Sequence, residues 1–250
     1  MKNYPKKIGP YQLIREVGAG GLGRVFKAID ERSGRSVAVK FLHTKYSTNR
    51  RFLGIFHREL LIVSRLKHKH IVNFLDSHFD PPLCFIVTEF VDGWSGHQML
   101  KLTGKVPPLV ALSIAMDMLQ GIDYLHLHDV VHSDLSAANY LINKEGKVMV
   151  TDFGLACEQN IENYKNFVIG TPGYYSPEHL KNTGIVPASD IYAVGLNIYE
   201  LLTGEKAVKP STDRRKILAS MREIDFSKIC LLYTSPSPRD RTRSRMPSSA

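Results

Sequence analysis

Polar and apolar residues alternate from residue 11 to 17, and the run then meets Gly18 and Gly20. Residues 24–30 and 36–42 are runs of the same kind, the second rich in valine, with a turn signal at Glu31, Arg32, Ser33 and Gly34. This pattern predicts three antiparallel strands joined by tight connections. The period then changes. Over residues 50–67 the apolar positions Phe52, Phe56, Leu60, Val63 and Leu66 follow helical spacing. Residues 71–79 and 83–89 predict two more strands, with Pro81 and Pro82 in the turn.

After Asp92 and Gly93 the character shifts. Residues 108–128 predict a long helix, with Pro108 near its start and Leu112, Ala115, Met118, Leu119 and Ile122 among its apolar positions. Short strands follow at 140–143 and 148–151, and an apolar helix at 188–203 stops at Gly204. A strand-rich first part of about 90 residues thus precedes a helix-rich second part, an α+β arrangement.

The chain has 250 residues, 43% of them hydrophobic and 23% charged. That is ordinary globular composition, long enough for a sizeable core, and it excludes disorder for most of the chain. No run approaches the ~18 apolar residues of a membrane helix, and residues 1–10 carry no secretory pattern. Cys84, Cys157 and Cys230 are too scattered for a disulfide scaffold or zinc site. A cytoplasmic location is expected.

Residues 230–250 turn abruptly to Ser, Pro and Arg. Residues 230–240 and 244–250 back-translate into strings resembling a sequencing-library adapter, so the segment is read as an artefactual disordered tail and set aside. Its four arginines and one aspartate hold three of the nine net positive charges, leaving a mildly basic surface of six. Those charges are dispersed and predict no nucleic-acid partner.

Gly18, Gly20 and Gly23 have G-x-G-x-x-G spacing, and glycine lets backbone amides approach phosphate oxygens. They sit between strands, which disfavours a dinucleotide fold, whose glycines open a helix. Lys40 ends the apolar run Val37, Ala38, Val39, where an ammonium needs a carboxylate. Glu59 on the next helix is the natural partner. His132 and Asp134 precede Asn139, and Asp152, Phe153 and Gly154 follow. Asp152 and Asn139 can supply oxygens to Mg²⁺, which takes one or two carboxylates plus phosphate oxygens. Asp134 is then free to accept a hydroxyl proton.

In that order, with Ser176, Pro177, Glu178, Asp190 and Gly195 beyond, these residues make the chain resemble a eukaryotic-type protein kinase. Gly170, Thr171, Pro172, Gly173, Tyr174, Tyr175 and Ser176 are similar to serine/threonine kinases of the bacterial kind. The resemblance implies a two-lobed fold: an N-lobe of five antiparallel strands and one helix (11–88), a hinge (89–93) and a mainly helical, incomplete C-lobe (94–229), after an extension at 1–10. It implies ATP and Mg²⁺ as cofactors, and ATP-dependent transfer to Ser/Thr hydroxyls of protein substrates.

By the same resemblance Val17, Gly18, Ala19, Gly20, Gly21, Leu22, Gly23 and Arg24 cover the phosphates, and Lys40, held by Glu59, contacts them. Val25, Ala38 and Leu141 sandwich adenine, and backbone groups of Glu89 and Val91 bind its edge. Thr88 guards the inner pocket. Asn139 and Asp152 hold metal, Asp134 is the base, His132 packs on Phe153, Thr171 lines the acceptor pocket, and Asp190 anchors the catalytic loop.

Three features depart from the family pattern. Ser133 replaces the arginine that grips an activation-loop phosphate, and residues 155–169 contain no serine or threonine. Activity is therefore expected not to need activation-loop phosphorylation. Ser136 replaces the lysine beside the transferred phosphate. The C-lobe also lacks further helices, so Glu178 is expected to miss its usual arginine and the chain to be poorly soluble or partly unfolded. The alternatives are a pseudokinase that only binds ATP, or a small-molecule phosphotransferase, a class that generally lacks the Gly170–Gly173 and Ser176–Glu178 segments. Cys157 reads as a structural thiol. Residues 67–70 (Lys, His, Lys, His) read as a solvated turn, and Trp94 as a packing residue.

Overall fold

The computed structural model describes residues 6–158, 170–181 and 183–230. Residues 159–169 of the stretch expected to be an activation loop (155–169), and residues 231–250 of the tail read at 230–250, lie outside the described residues.

The first part is a six-stranded antiparallel sheet. Its strands are β1 (Lys7–Ile8), β2 (Tyr11–Ala19), β3 (Gly23–Asp30), β4 (Arg35–Leu42), β5 (Phe74–Asp80) and β6 (Leu83–Glu89), in the order β1-β2-β3-β4-β6-β5. The five expected strands are present, and the two-residue β1 adds a sixth. Alternation decides which side chains face where. In β4, Val37, Val39 and Phe41 are buried against Tyr11, Phe26, Ala28, Phe85 and Val87. Ala38 and Lys40 therefore point to the opposite face.

Helix α1 (Arg50–Arg65) lies against this sheet. Asn49 caps it, its side-chain oxygen accepting from the amides of Arg51 at 3.0 Å and Phe52 at 3.5 Å. Its buried residues Phe56, Glu59, Ile62 and Val63 form one face. A glutamate among them places a carboxylate where water cannot solvate it.

The second part contains β7 (Gly93–Ser95), α2 (Gly96–Thr103), α3 (Pro108–Leu127), β8 (Val130–Val131), β9 (Tyr140–Asn143), β10 (Val148–Val150) and β11 (Cys157–Glu158). It continues with α4 (Pro177–Lys181), α5 (Pro187–Thr203), α6 (Arg214–Arg222) and α7 (Ser227–Cys230). Strands β10, β9 and β7 pair in that order, and β11 pairs with β8. Helices α3 and α5 pack together and carry much of the core, including Ile114, Met118, Ile122, Val194 and Leu201. The mixed α+β, two-part architecture is the expected one.

Three expectations are corrected. The strand expected over 71–79 begins at Phe74, because Ile71 bridges Val150 and the Val72 amide donates to the Val150 carbonyl at 3.1 Å. That stretch thus fastens the first part to the second. Glu178 is not an orphan carboxylate: Ser189 donates its hydroxyl to Oε1 at 2.6 Å, which helps hold the carboxyl below its usual range despite the opposing effect of burial. Nor is the 67–70 stretch simply solvated, since His70 is buried with Nδ1 2.8 Å from the Val148 carbonyl.

Candidate active site

Strand register assembles the roof of a cleft. Val25 lies opposite Lys40 across β3 and β4, and Ala38 and Lys40 lie opposite Thr88 and Ile86 across β4 and β6. Directly opposed residues share a face, so Val25, Ala38, Lys40 and Thr88 line the side away from the sheet's aromatic cluster. The glycine segment closes this roof. The Gly20 amide donates to the Gly23 carbonyl at 2.9 Å, making a tight β2–β3 turn. A Cβ on Gly23 would strike the Phe41 carbonyl, so only glycine fits there. His43 ties the turn down, its amide donating to the Leu22 carbonyl at 2.9 Å and its ring lying 3.2 Å from the Gly20 carbonyl.

Beneath the roof one ammonium serves two carboxylates. Lys40 Nζ lies 2.6 Å from Glu59 Oε1 and 2.6 Å from Asp152 Oδ1. Three segments remote in sequence meet at this nitrogen. Burial alone would discharge Lys40, but Asp152 and Glu59 overrule it and hold the amine well above its usual range. Lys40 in turn holds the Asp152 carboxyl below its usual range. Glu59 goes the other way, pushed up by burial against the pull of Lys40. The partners therefore differ in direction. The better-exposed Asp152 keeps its charge most readily, since water still reaches 48% of it against 5% of Glu59.

The loop after β8 presents Asp134. Its Oδ1 accepts the Thr171 amide at 2.8 Å and its Oδ2 accepts Asn139 Nδ2 at 3.0 Å. Asn139 Nδ2 also donates to the Asp134 carbonyl at 2.7 Å. Burial raises the Asp134 carboxyl above its ordinary range, with the Thr171 hydrogen bonds opposing and the Asp152 charge reinforcing.

Two backbone positions here are strained, with φ of +70° at Ser133 in this loop and +64° at Asp152 in the turn after β10. Non-glycine residues occupy that region only when their surroundings force them to. Asp190, 1% exposed on α5, supplies part of that force. Its carboxylate accepts the amides of His132 at 2.8 Å and Ser133 at 2.9 Å, and lies 2.9 Å from His126 Nε2. His132 is buried against Phe153, ring centroids 5.3 Å apart, with Nε2 3.1 Å from the Thr151 carbonyl.

At the junction of the two parts the Glu89 amide donates to the Asn73 carbonyl at 2.9 Å. Of the backbone groups expected to bind a ligand here, Glu89 thus retains its carbonyl. Val91 and Leu141 pack on the same core cluster, and Leu141 is brought opposite Ser95 by the β7–β9 pairing. Val17, Gly18 and Ala19 end β2, and Gly21, Leu22 and Arg24 complete the turn into β3.

A divalent cation fits the donor set: an ionised carboxylate on Asp152 and an amide oxygen on Asn139 are hard ligands of the kind Mg²⁺ prefers. Among the described residues no cluster of three or more His, Cys, Asp or Glu could hold a metal by itself. The remaining ligands would have to come from phosphates and water.

Cys157 is buried, and burial pushes its thiol above the usual range, as suits an inert residue. Trp94 is instead half exposed. The sequence reading missed His126 as a third neighbour of Asp190, and missed the backbone amide of Thr171 as the group holding Asp134.

A scan against protein families matches residues 11–248 to the family described as "Protein kinase domain". The match runs past residue 229 into the segment set aside as a tail. Among curated proteins the chain is 35% identical over 198 residues to "Serine/threonine-protein kinase PrkC" of Bacillus subtilis, covering 78% of this chain and 31% of that protein. It is 33% identical to "Probable serine/threonine-protein kinase PknB" of Lactococcus lactis, covering 78% and 32%. It is 32% identical to "Serine/threonine-protein kinase PknL" of Mycobacterium tuberculosis, covering 78% and 49%. The chain thus spans about a third to a half of the length of these relatives.

Proposed function

The chain belongs to the protein kinase family, and on that premise we propose that it transfers the γ-phosphoryl group of ATP to serine or threonine hydroxyls of protein acceptors. The observation that carries this reading is the Lys40 ammonium held at 2.6 Å by both Glu59 and Asp152, in the cleft that presents Asp134. A small-molecule acceptor is disfavoured by the Gly170–Glu178 stretch, whose Thr171 amide holds Asp134 itself.

In this reading Val25, Ala38 and Leu141 clasp adenine, whose edge meets the Glu89 carbonyl and Val91 amide. The glycine turn and Lys40 grip the phosphates. Asp152 and Asn139 would hold Mg²⁺, which when bound neutralises charge across the phosphates. Asp134 orients the acceptor hydroxyl and takes its proton as the new oxygen–phosphorus bond forms and the bond to the leaving ADP oxygen breaks. Most of the rate comes from this positioning and charge neutralisation.

No phosphate on the activation segment is required in this reading. Where related kinases place an arginine, the Ser133 hydroxyl lies 3.3 Å from the Val131 carbonyl and 3.5 Å from Cys157 Sγ. Segment 155–169 has no serine or threonine to modify. Among the described residues no helix is long and apolar enough to cross a membrane. The test is to treat active protein with a broad-specificity phosphatase and measure transfer to a generic protein acceptor. Activity is expected to survive; its loss would contradict the proposal.

A further inference from the structure

The backbone amide that holds Asp134 follows a glycine. It belongs to Thr171, donates to Asp134 Oδ1 at 2.8 Å, and shares its peptide unit with Gly170. Gly170 sits at φ +138°, and glycine is the residue least able to fix the orientation of the peptide beyond it. Rotation there would swing the Thr171 amide off the carboxylate. The other end of the same peptide is also held. The Tyr175 hydroxyl donates to the Gly170 carbonyl at 2.7 Å. The peptide is trans, so its C=O and N–H point in opposite directions, one toward Tyr175 and one toward Asp134.

The surroundings are tight. A Cβ on Gly170 would meet the Tyr175 ring at 3.0 Å and Asp134 Oδ1 at 3.3 Å. A turn brings Tyr175 back onto Gly170, the Tyr174 amide donating to the Thr171 carbonyl at 3.2 Å. The Tyr175 ring is buried and meets His179 edge-on, with centroids 4.9 Å apart. Burial and the Asp134 charge push its phenol up to about 12, so the hydroxyl keeps its proton and serves as a donor at neutral pH.

We infer that Tyr175 is a positioning residue for phosphoryl transfer: its hydroxyl locks the Gly170–Thr171 peptide in the orientation that aims the Thr171 amide at Asp134. The inference rests on the protein kinase reading and deepens it at the same site. A hydrogen bond to the carbonyl also polarises the peptide and strengthens its amide as a donor. With Oδ1 held in this way and Oδ2 held by Asn139 at 3.0 Å, the carboxylate keeps one plane toward the acceptor hydroxyl. Tyr175 moves no proton: the acceptor's proton passes to Asp134, and the phenol keeps its own throughout. Such positioning is costly to lose, since a misplacement of ~1 Å can lower a rate by about 10²-fold.

The test is a double-mutant cycle on the purified protein, with Mg²⁺–ATP and a generic protein acceptor. Tyr175→Phe keeps the ring and removes the donor. It is expected to lower kcat by about tenfold while KM for ATP and for the acceptor stays within about twofold. In the Asp134→Asn background, where no carboxylate remains to be aimed, the same change is expected to cost less than about twofold more. Replacing Tyr175 by p-aminophenylalanine, which has an N–H donor at the same place, is expected to restore most of the rate. That variant also serves where phenylalanine prevents folding: its smaller fall should lie in kcat and vanish in the Asp134→Asn background. A loss in KM alone, an equal fractional loss in both backgrounds, or no loss on removing the donor would overturn the inference and leave the kinase reading standing. Mg²⁺–ATP binding by the wild type with no transfer to any protein would overturn both.

Discussion

Asparagine in place of Asp134 is expected to lower phosphoryl transfer by about 10²–10⁴-fold, the usual contribution of a general base, while leaving the protein folded. The carboxylate is held from two sides, by the Thr171 amide at 2.8 Å and Asn139 Nδ2 at 3.0 Å. An asparagine oxygen can keep one of these bonds but cannot take a proton from the acceptor. The effect on stability has the opposite sign. Burial and the Asp152 charge raise the Asp134 carboxyl above its ordinary value, so the folded state binds the proton more tightly than the unfolded chain. Between the unfolded and folded pKa values stability falls as pH rises, and above the folded value the full penalty is present. Removing the charge relieves that penalty at neutral pH. Melting of the Asp134→Asn variant is therefore expected to be unchanged or higher at pH 7, with activity lost. The wild-type rate should have an acid limb above the ordinary carboxylate range, since only the ionised form can accept the proton. A variant that transfers phosphate at the wild-type rate, or that has simply unfolded, would count against this assignment.

Alanine in place of Asp190 is expected to act in the reverse way, through the fold. Asp190 is fully buried on α5 and accepts the amides of His132 and Ser133, the second held at φ +70°. Removing it leaves two backbone donors without partners in a low-dielectric interior and releases a strained segment. Each orphaned donor costs about 1–3 kcal/mol, and domains have only about 5–15 kcal/mol in total. A loss of roughly 3–5 kcal/mol is expected, read as a lower midpoint in urea. Activity should fall with it, because Asp134 stands one residue beyond Ser133. His126 shares the carboxylate at 2.9 Å, and His126→Ala, which keeps both amide bonds, should cost much less. Equal stability of Asp190→Ala and wild type would show that the loop is held by something else.

Much of this was readable before any coordinates because each element repeats its signal. In β4 the period of two puts Val37, Val39 and Phe41 inside and Lys40 on the other face, whereas Glu59, expected on the polar edge of its helix, is buried in α1. Chemistry then pairs them. What escaped the sequence reading lacks periodicity. β1, β8 and β11 have two residues each, too few for any repeat. Ile71 and Val72 look like strand but spend their bonding on β10, a choice made by tertiary packing alone. Helix α2 was not expected either, although Ser95 and Gln98, three residues apart, exchange backbone-to-side-chain bonds at 3.2 and 2.9 Å as a capping box. The Ser189 partner of Glu178 and the use of the Glu89 amide by Asn73 are invisible to spacing, since each depends on where two segments end up.

The account rests on a committed ammonium, an ionised Asp152 and a hydroxyl-facing Asp134 acting on one nucleotide. The most direct test is to incubate the protein and a protein acceptor with γ-labelled ATP, with and without Mg²⁺, and identify the amino acid that carries the label. The account predicts phosphoserine or phosphothreonine in the presence of Mg²⁺ and no label when the cation is chelated. Label on the acceptor in the absence of divalent cations, or release of all the label as free phosphate with none on serine or threonine, would contradict it.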